Sequence, residues 1–306
     1  MEQRRNKTNN RSGCMFEVEN LRKIGRGGNS EVFLGVRRNT GKYCVIKRSI
    51  DAKFSGQQLE NEGRILEYLK DSAYKYSPDL YYYSEKELVM EYIEGTSLDR
   101  AFSENLNEKD MIDLFERICM AVEALHELRP PVIHMDIKPS NFMVDKTGKV
   151  YLIDFGTAKI AKGYDGIFDS KLMPEEVYLG AGTRNYAAPE QYGGLSENSF
   201  LTDVFQVGKT IEFFLQRSGV SRRFSEDVMK VVRKCCASHI SERYLRISDI
   251  RKDLLSVRVR NKRHVFCKEI FQQKDEREKC KKVRKKAEKP ELFIDVVRTF
   301  DTIEFL

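Results

Sequence analysis

Apolar side chains change their period part-way along this chain of 306 residues, and no other feature limits its fold so tightly. Residues 16–51 alternate apolar and polar positions around Gly-rich turns, the pattern of strands joined as hairpins. Residues 55–70 place Leu59, Ile65, Leu66 and Leu69 at helical spacing, and 80–93 return to a strand pattern. After Gly95 the segments 107–128, 203–217 and 225–236 all show helix-type spacing. A small sheet-rich part followed by a larger helical part is an α+β arrangement. The join falls near 91–96, and no internal repeat is present.

Charge narrows the classes further. Residues 258–289 carry fourteen Lys/Arg against five Asp/Glu, a local balance of +9 within a chain total of +7, so the remainder is −2. The basic character belongs to a C-terminal segment and not to the body, which argues against a nucleic-acid-binding domain. The segment interleaves acids and holds one aromatic pair, Phe266 and Phe271, and reads first as a solvated charged helix. No apolar run approaches the ~18 residues of a membrane span, so no membrane association is expected. Residues 1–15 are basic and poor in apolar side chains, so a flexible tail is expected and a secretory signal is not. Seven cysteines without a CxxC pair suit a reducing, cytoplasmic compartment. His264, Cys267 and Cys280 meet no zinc spacing, and Cys235 and Cys236 fall in an apolar helical stretch.

Four short segments carry chemistry. Residues 24–33, IGRGGNSEVF, put Gly25, Gly27 and Gly28 in a hairpin turn whose backbone N–H groups could meet phosphate oxygens. By itself this is only a tight turn. It is followed by Val45-Ile46-Lys47, a cation at the end of an apolar strand, with Glu60 and Glu62 on the next helix as carboxylate partners. Then comes HMDIKPSN, residues 134–141, with an Asp able to accept a hydroxyl proton, a Lys two positions on and an Asn. Thirteen residues after Asn141, Asp154-Phe155-Gly156 ends the apolar run Val150–Ile153, a suitable place for a hard oxygen ligand. Each motif is weak alone, whereas their order and context are specific.

Over about residues 16–257 these motifs resemble the eukaryotic-type (Hanks-type) protein kinase superfamily, and HMDIKPSN and AAPEQYGG have the texture of its bacterial members. The resemblance implies a two-lobed fold, with a β-rich N-lobe at 16–94 and a mainly helical C-lobe at 95–257. It implies an ATP- and Mg2+-dependent enzyme. Asp136 would be the base and Lys138 would neutralise the γ-phosphate. Asn141 and Asp154 would hold magnesium. Lys47 would anchor ATP, paired with Glu62, or with Glu60 as the fallback. Ile24, Gly25, Gly27 and Gly28 would cover the nucleotide, and Val32, Val45 and Met143 would sandwich adenine. Met90 would be the gatekeeper, and Glu91 and Ile93 the hinge. Ala188-Pro189-Glu190, Arg243 as partner of Glu190, Asp203 and Gly208 match structural positions. Lys138, and Thr183 within GTRNYAAPE, point to serine/threonine rather than tyrosine on a protein substrate.

Two positions depart from the family pattern. Ser30 replaces the third loop glycine, a change kinases tolerate. Met135 replaces the Arg that in many kinases binds an activation-loop phosphate, although Tyr164, Ser170, Tyr178 and Thr183 could still be modified. Three other readings compete. A pseudokinase scaffold sits badly with a complete set of transfer residues. A small-molecule phosphotransferase generally lacks both the Ala-Pro-Glu segment and Thr183. Nucleic-acid binding rests on the basic segment alone. Residues 291–306 repeat apolar side chains at Phe293, Val296, Val297, Phe300 and Ile303, the stripe of a short helix that would dock on the kinase body or on a separate partner.

Overall fold

The computed structural model describes residues 5–9, 15–51, 54–101, 106–161, 183–192 and 199–258 (backbone only for 5–9, 15, 16, 20 and 54). The chain divides into two compact units, Met1–Leu255 and Ser256–Leu306. The features expected at Tyr164, Ser170 and Tyr178, in the basic segment and at 291–306 lie outside the described residues.

The first unit opens with strands β1 (Arg5–Asn9), β2 (Met15–Arg26), β3 (Ser30–Arg37) and β4 (Tyr43–Ser49), then helix α1 (Phe54–Asp71) and strands β5 (Leu80–Tyr83) and β6 (Glu87–Glu91). These strands make one antiparallel sheet in the order β1-β2-β3-β4-β6-β5. Within the stretch expected to be a flexible tail, Arg5–Asn9 instead form β1, paired from Arg5↔Glu19 to Asn9↔Met15. Low hydrophobicity argues against burial, but an edge strand needs only backbone partners and tolerates polar side chains. Leu59, Ile65, Leu66 and Leu69 turn inward from α1 as their spacing requires. The helix also packs onto β5 so closely that a Cβ at Gly63 would lie 2.2 Å from the Tyr83 ring.

After β7 (Gly95–Ser97) and α2 (Leu98–Ala101) the chain is mainly helical: α3 (Glu108–His126), α4 (Pro189–Tyr192), α5 (Phe200–Arg217), α6 (Arg222–Cys235) and a helix α7 over 247–258. Short strands β8 (Val132–Ile133), β9 (Phe142–Asp145), β10 (Val150–Leu152) and β11 (Lys159–Ile160) lie between α3 and α4 and form two small sheets, β10-β9-β7 and β11-β8. Asn107 caps α3 through the Asp110 N–H, and Ser199 with Thr202 forms a capping box on α5. Helix α5 runs through the core, with Val204, Val207, Ile211 and Phe214 fully buried. At Gly208 a Cβ would come within 2.5 Å of Cys235 on α6.

Helix α5 also buries polar groups, and they organise the loop between β8 and β9. Asp203 accepts the backbone N–H groups of His134 (3.0 Å) and Met135 (2.9 Å) and contacts His126 Nε2 at 2.9 Å. Gln206 accepts the Ile137 N–H at 2.7 Å and donates to the Met135 carbonyl at 2.9 Å, which also takes an amide hydrogen of Gln191. These bonds hold Met135 at φ 64°, a conformation unfavourable for a residue with a Cβ. The second anchor is Arg243, whose buried guanidinium grips both oxygens of Glu190 at 2.8 and 3.0 Å, the pairing expected from sequence. Burial would raise the Glu190 pKa, but the Arg243 hydrogen bond and charge hold it below the usual carboxylate value.

Two outcomes follow from this packing. Arg243→Ala leaves Glu190 buried without its cation, so a loss of about 3–5 kcal/mol is expected in chemical denaturation. His134 is fully buried; its Nδ1 faces the Asp136 N–H and its Nε2 faces the Ile153 carbonyl. Burial lowers its pKa, against the pull of the Asp203, Asp136 and Asp154 charges. Below about pH 6.5 the unfolded chain therefore takes up a proton that the folded chain refuses. Its contribution to stability is complete above that pH and is lost as pH falls toward the lowered folded value. The melting temperature should decline more steeply between about pH 6.5 and 5 in the natural chain than in His134→Asn.

Candidate active site

Lys47 lies on β4, paired across the sheet with Val32 on β3 and Leu88 on β6. Because side chains alternate along a strand and cross-strand partners share a face, Val32, Val45, Lys47 and Met90 occupy one face of the sheet. Helix α1 brings Glu62 to this face, with Lys47 Nζ 2.6 and 2.9 Å from its two oxygens. Glu60 points elsewhere and pairs with Arg64. Helical phase decides between them, since Glu62 shares the buried stripe with Leu59, Leu66 and Leu69. Lys47 also reaches Asp154 Oδ1 at 3.1 Å. Burial alone would drive the Lys47 ammonium toward neutrality, but the Asp154 and Glu62 charges overcome it and raise its pKa. The Lys47 charge in turn lowers the Asp154 pKa.

Asp154 ends the run after β10 with φ 67°, and its side chain is 47% exposed. A paired yet open carboxylate keeps an oxygen available to a ligand. The segment after it is tied to α1 by Asn61, whose amide donates to the Gly156 and Ala158 carbonyls at 3.0 Å each.

The second cluster surrounds Asp136, which lies in the loop that α5 holds. Lys138 Nζ donates to Asp136 Oδ2 and to Thr183 Oγ1, both at 2.6 Å. Thr183 Oγ1 donates to Asp136 Oδ1 at 2.8 Å. Asn141, in a 3-10 turn, donates its amide to the Asp136 carbonyl at 2.8 Å and to its carboxylate at 3.2 Å. That orientation leaves the Asn141 carboxamide oxygen as an oxygen ligand. Asp136 is therefore ringed by donors that fix its two oxygens, and the contacts expected for Thr183 with Asp136 and Lys138 are made.

The remaining expected positions lie along the sheet and its neighbour. Gly25 pairs with Val32, and the turn beyond it closes through the Gly27 N–H and the Ser30 carbonyl at 2.8 Å. Ile24, Gly27 and Gly28 are exposed. A Cβ at Gly28 would meet nothing within 4 Å, so the protein's own packing does not require a glycine there. Val32, Val45 and Met143 are half-buried, each keeping apolar surface, with Met143 contributed by β9. Met90 pairs with Val45, the Glu91 N–H binds the Asp79 carbonyl at 2.8 Å, and the Ile93 carbonyl takes the Gly95 N–H at 2.9 Å.

These residues fit ATP and Mg2+. Among the described residues no three His, Cys, Asp or Glu side chains converge as a closed metal cage. Magnesium commonly takes only one or two protein oxygens and completes its shell with phosphate and water. The Asn141 carboxamide and the Asp154 carboxylate are such a pair. Lys47 offers a fixed cation, and the open glycine turn offers backbone N–H groups.

The sequence did not single out Gln206, Gln191 or Asn61. Each is a polar residue in a helix whose partner backbone lies far away in the chain, so neither motif nor period marks it. The available signal was weak: an Asp and a Gln, three residues apart, on the face of an amphipathic helix that also carries the apolar stripe.

Comparison with known proteins agrees with this geometry. The sequence profile of the protein kinase domain matches residues 18–257. The ankyrin repeat-containing protein kinase A of Dictyostelium discoideum is 27% identical over 193 residues, covering 63% of this chain and 13% of that protein. The human serine/threonine-protein kinase tousled-like 2 is 30% identical over 185 residues, 56% of this chain and 24% of that protein. The serine/threonine-protein kinase PknD of Chlamydia trachomatis is 29% identical over 231 residues, 63% of this chain and 24% of that protein. The chain thus spans well under a third of the length of these curated relatives. A profile match across most of the sequence, laid over a fold that gathers Lys47, Glu62 and Asp154 into one polar cluster and Asp136 and Asn141 into a second, places this chain in the protein kinase domain family.

Proposed function

We propose that this protein transfers the γ-phosphoryl group of ATP to serine or threonine hydroxyls of a protein substrate. The observation that carries the reading is the Asp136–Lys138–Thr183 cluster, an oriented carboxylate beside a cation. Asp136 orients the acceptor hydroxyl and takes its proton as the new O–P bond forms and the bond to the leaving diphosphate breaks. Lys138 offsets negative charge on the transferred group, and Lys47, braced by Glu62, holds the neighbouring phosphates. Asn141 and Asp154 are the residues that would hold Mg2+. When bound, that ion neutralises phosphate charge and aligns the chain of phosphates.

Thr183, hydrogen-bonded to both Asp136 and Lys138, supports serine or threonine as the acceptor. The complete set of ionic residues argues against a scaffold without activity. The Ala188-Pro189-Glu190 segment, anchored through Arg243, argues against a small-molecule acceptor. A cytoplasmic setting is supported by the free thiols of Cys44, Cys119, Cys235 and Cys236. No described helix is long and apolar enough to cross a membrane.

Transfer to a generic protein substrate should fall by about 10²–10⁴-fold in Asp136→Asn, with nucleotide binding retained. Asp154→Asn should lose both transfer and Mg2+-dependent nucleotide binding, which thermal shift with and without the ion would read. Near-natural activity in either variant would show the site assignment to be wrong.

The regulatory reading is also a proposal. Met135 is buried and its backbone is fully engaged, so this position presents no cation to a loop phosphate. Phosphatase-treated enzyme should therefore keep most of its kcat. A large loss restored by autophosphorylation would refute the idea.

A further inference from the structure

Beyond the transfer chemistry lies the question of which peptides the site accepts. The turn that carries Thr183 to Asp136 and Lys138 closes through the Tyr186 N–H and the Thr183 carbonyl at 2.9 Å. Tyr186, half-buried, packs on Phe213 of α5 with ring centroids 6.5 Å apart and planes inclined at 49°. Phe213 stands edge-on to Phe214, which is fully buried, so its ring is fixed. On the Phe213 ring lies the Arg217 guanidinium, its Cζ 3.8 Å from the centroid. Arg217 is exposed, and its remaining described contact is a 3.5 Å hydrogen bond from Nη1 to the Phe213 carbonyl.

This stack has the build of a recognition surface. An arginine held over an aromatic ring gives up rotamer freedom before any ligand arrives, so less is lost when it binds one. Its charge is available, because no described carboxylate lies within ion-pair distance of Arg217. Asp99 on α2 is the acidic group that acts on Tyr186. Burial raises the Tyr186 pKa, the Arg217 charge lowers it and the Asp99 charge raises it. Both charges thus act at Tyr186, but Asp99 does not neutralise Arg217 by direct contact.

The position matters as much as the charge. An acceptor hydroxyl must come within hydrogen-bond reach of Asp136, beside Thr183. From there one hydrogen-bonded turn leads to Tyr186 and one ring contact leads on to Phe213. An extended peptide advances about 3.3 Å per residue, so it covers such a path in about three to five residues. We propose that the Tyr186–Phe213–Arg217 stack is a substrate-reading surface that selects an acidic side chain within about five residues of the phosphorylated serine or threonine. The proposal rests on the kinase reading above.

The test uses full-length protein with Mg2+-ATP and synthetic peptides. Each peptide has one serine in a neutral background, with a single Glu or Lys placed at successive positions up to five residues on either side. The natural protein should show a lower KM for at least one Glu-containing peptide than for its Lys counterpart. About a fivefold difference is expected, the upper end for an exposed ion pair. Arg217→Gln should abolish the difference and Arg217→Glu should invert it, both with kcat on the neutral peptide unchanged. Because Arg217 is exposed and makes no ion pair with a described residue, both variants should stay folded, with a melting temperature lowered only by the loss of the Phe213 contact and, in Arg217→Glu, by an acid at the α5 C-terminus. A KM ratio that survives charge reversal, or that is absent in the natural protein, would overturn this inference and leave the kinase reading standing. Failure to phosphorylate any peptide or protein would overturn both.

Discussion

A buried carboxylate with no exposure to solvent, Asp203, sets the geometry on which the site depends. An isolated charge in a low-dielectric core is unfavourable unless donors surround it. Here the donors are two consecutive backbone N–H groups of the β8–β9 loop, with His126 alongside. The need to satisfy Asp203 and the need to fix the loop have one solution. Met135 is drawn into a left-handed conformation that it would not adopt alone, and Asp136, next in sequence, is presented toward Lys138 and Thr183. Gln206, one turn further along α5, extends the same support to Ile137.

A second constraint joins the sheet to the helical part. Lys47 comes from β4, Glu62 from α1 and Asp154 from the turn after β10, so their contact exists only when three elements are assembled. Each member changes the ionisation of the others. Burial alone would discharge Lys47, and the two carboxylates prevent it. The Lys47 charge keeps Asp154 acidic although that residue shares the crowded corner with Glu62. Any movement of α1 that withdrew Glu62 would remove one of the two carboxylates that keep Lys47 charged, and Asn61 ties the same helix to Gly156 and Ala158. The position of α1 is thus coupled to the site through polar contacts as well as apolar packing.

Strain concentrates where the chemistry is expected. Met135 and Asp154 are two of only four described non-glycine residues with positive φ. Such conformations persist only when surrounding bonds over-determine them. For Met135 those bonds are visible: its N–H and its carbonyl are both bound by side chains of α5 or α4. The cost of that unfavourable backbone is offset by the hydrogen bonds these side chains make to it.

The sequence by itself determined the elements and the chemical groups. Periodicity gave the strands and helices because burial on one face of an element leaves a local trace. The Asp136 and Asp154 motifs were legible because each packs its groups into a few consecutive residues. What the tertiary structure decided is everything that depends on distant partners. It set Lys47 against both Glu62, the partner already preferred from the sequence, and the distant Asp154. It paired Arg5–Asn9 at the sheet edge, where backbone bonds need no apolar pattern. It turned Gln206, Gln191 and Asn61 from unremarked polar residues into supports of the site, gave Asp203 its backbone partners, and stacked Arg217 on Phe213 beside Tyr186. The physical reason is common to all of these. A hydrogen bond or ion pair between groups as much as 107 positions apart depends on the three-dimensional path of the chain, and neither composition nor spacing along the sequence records that path.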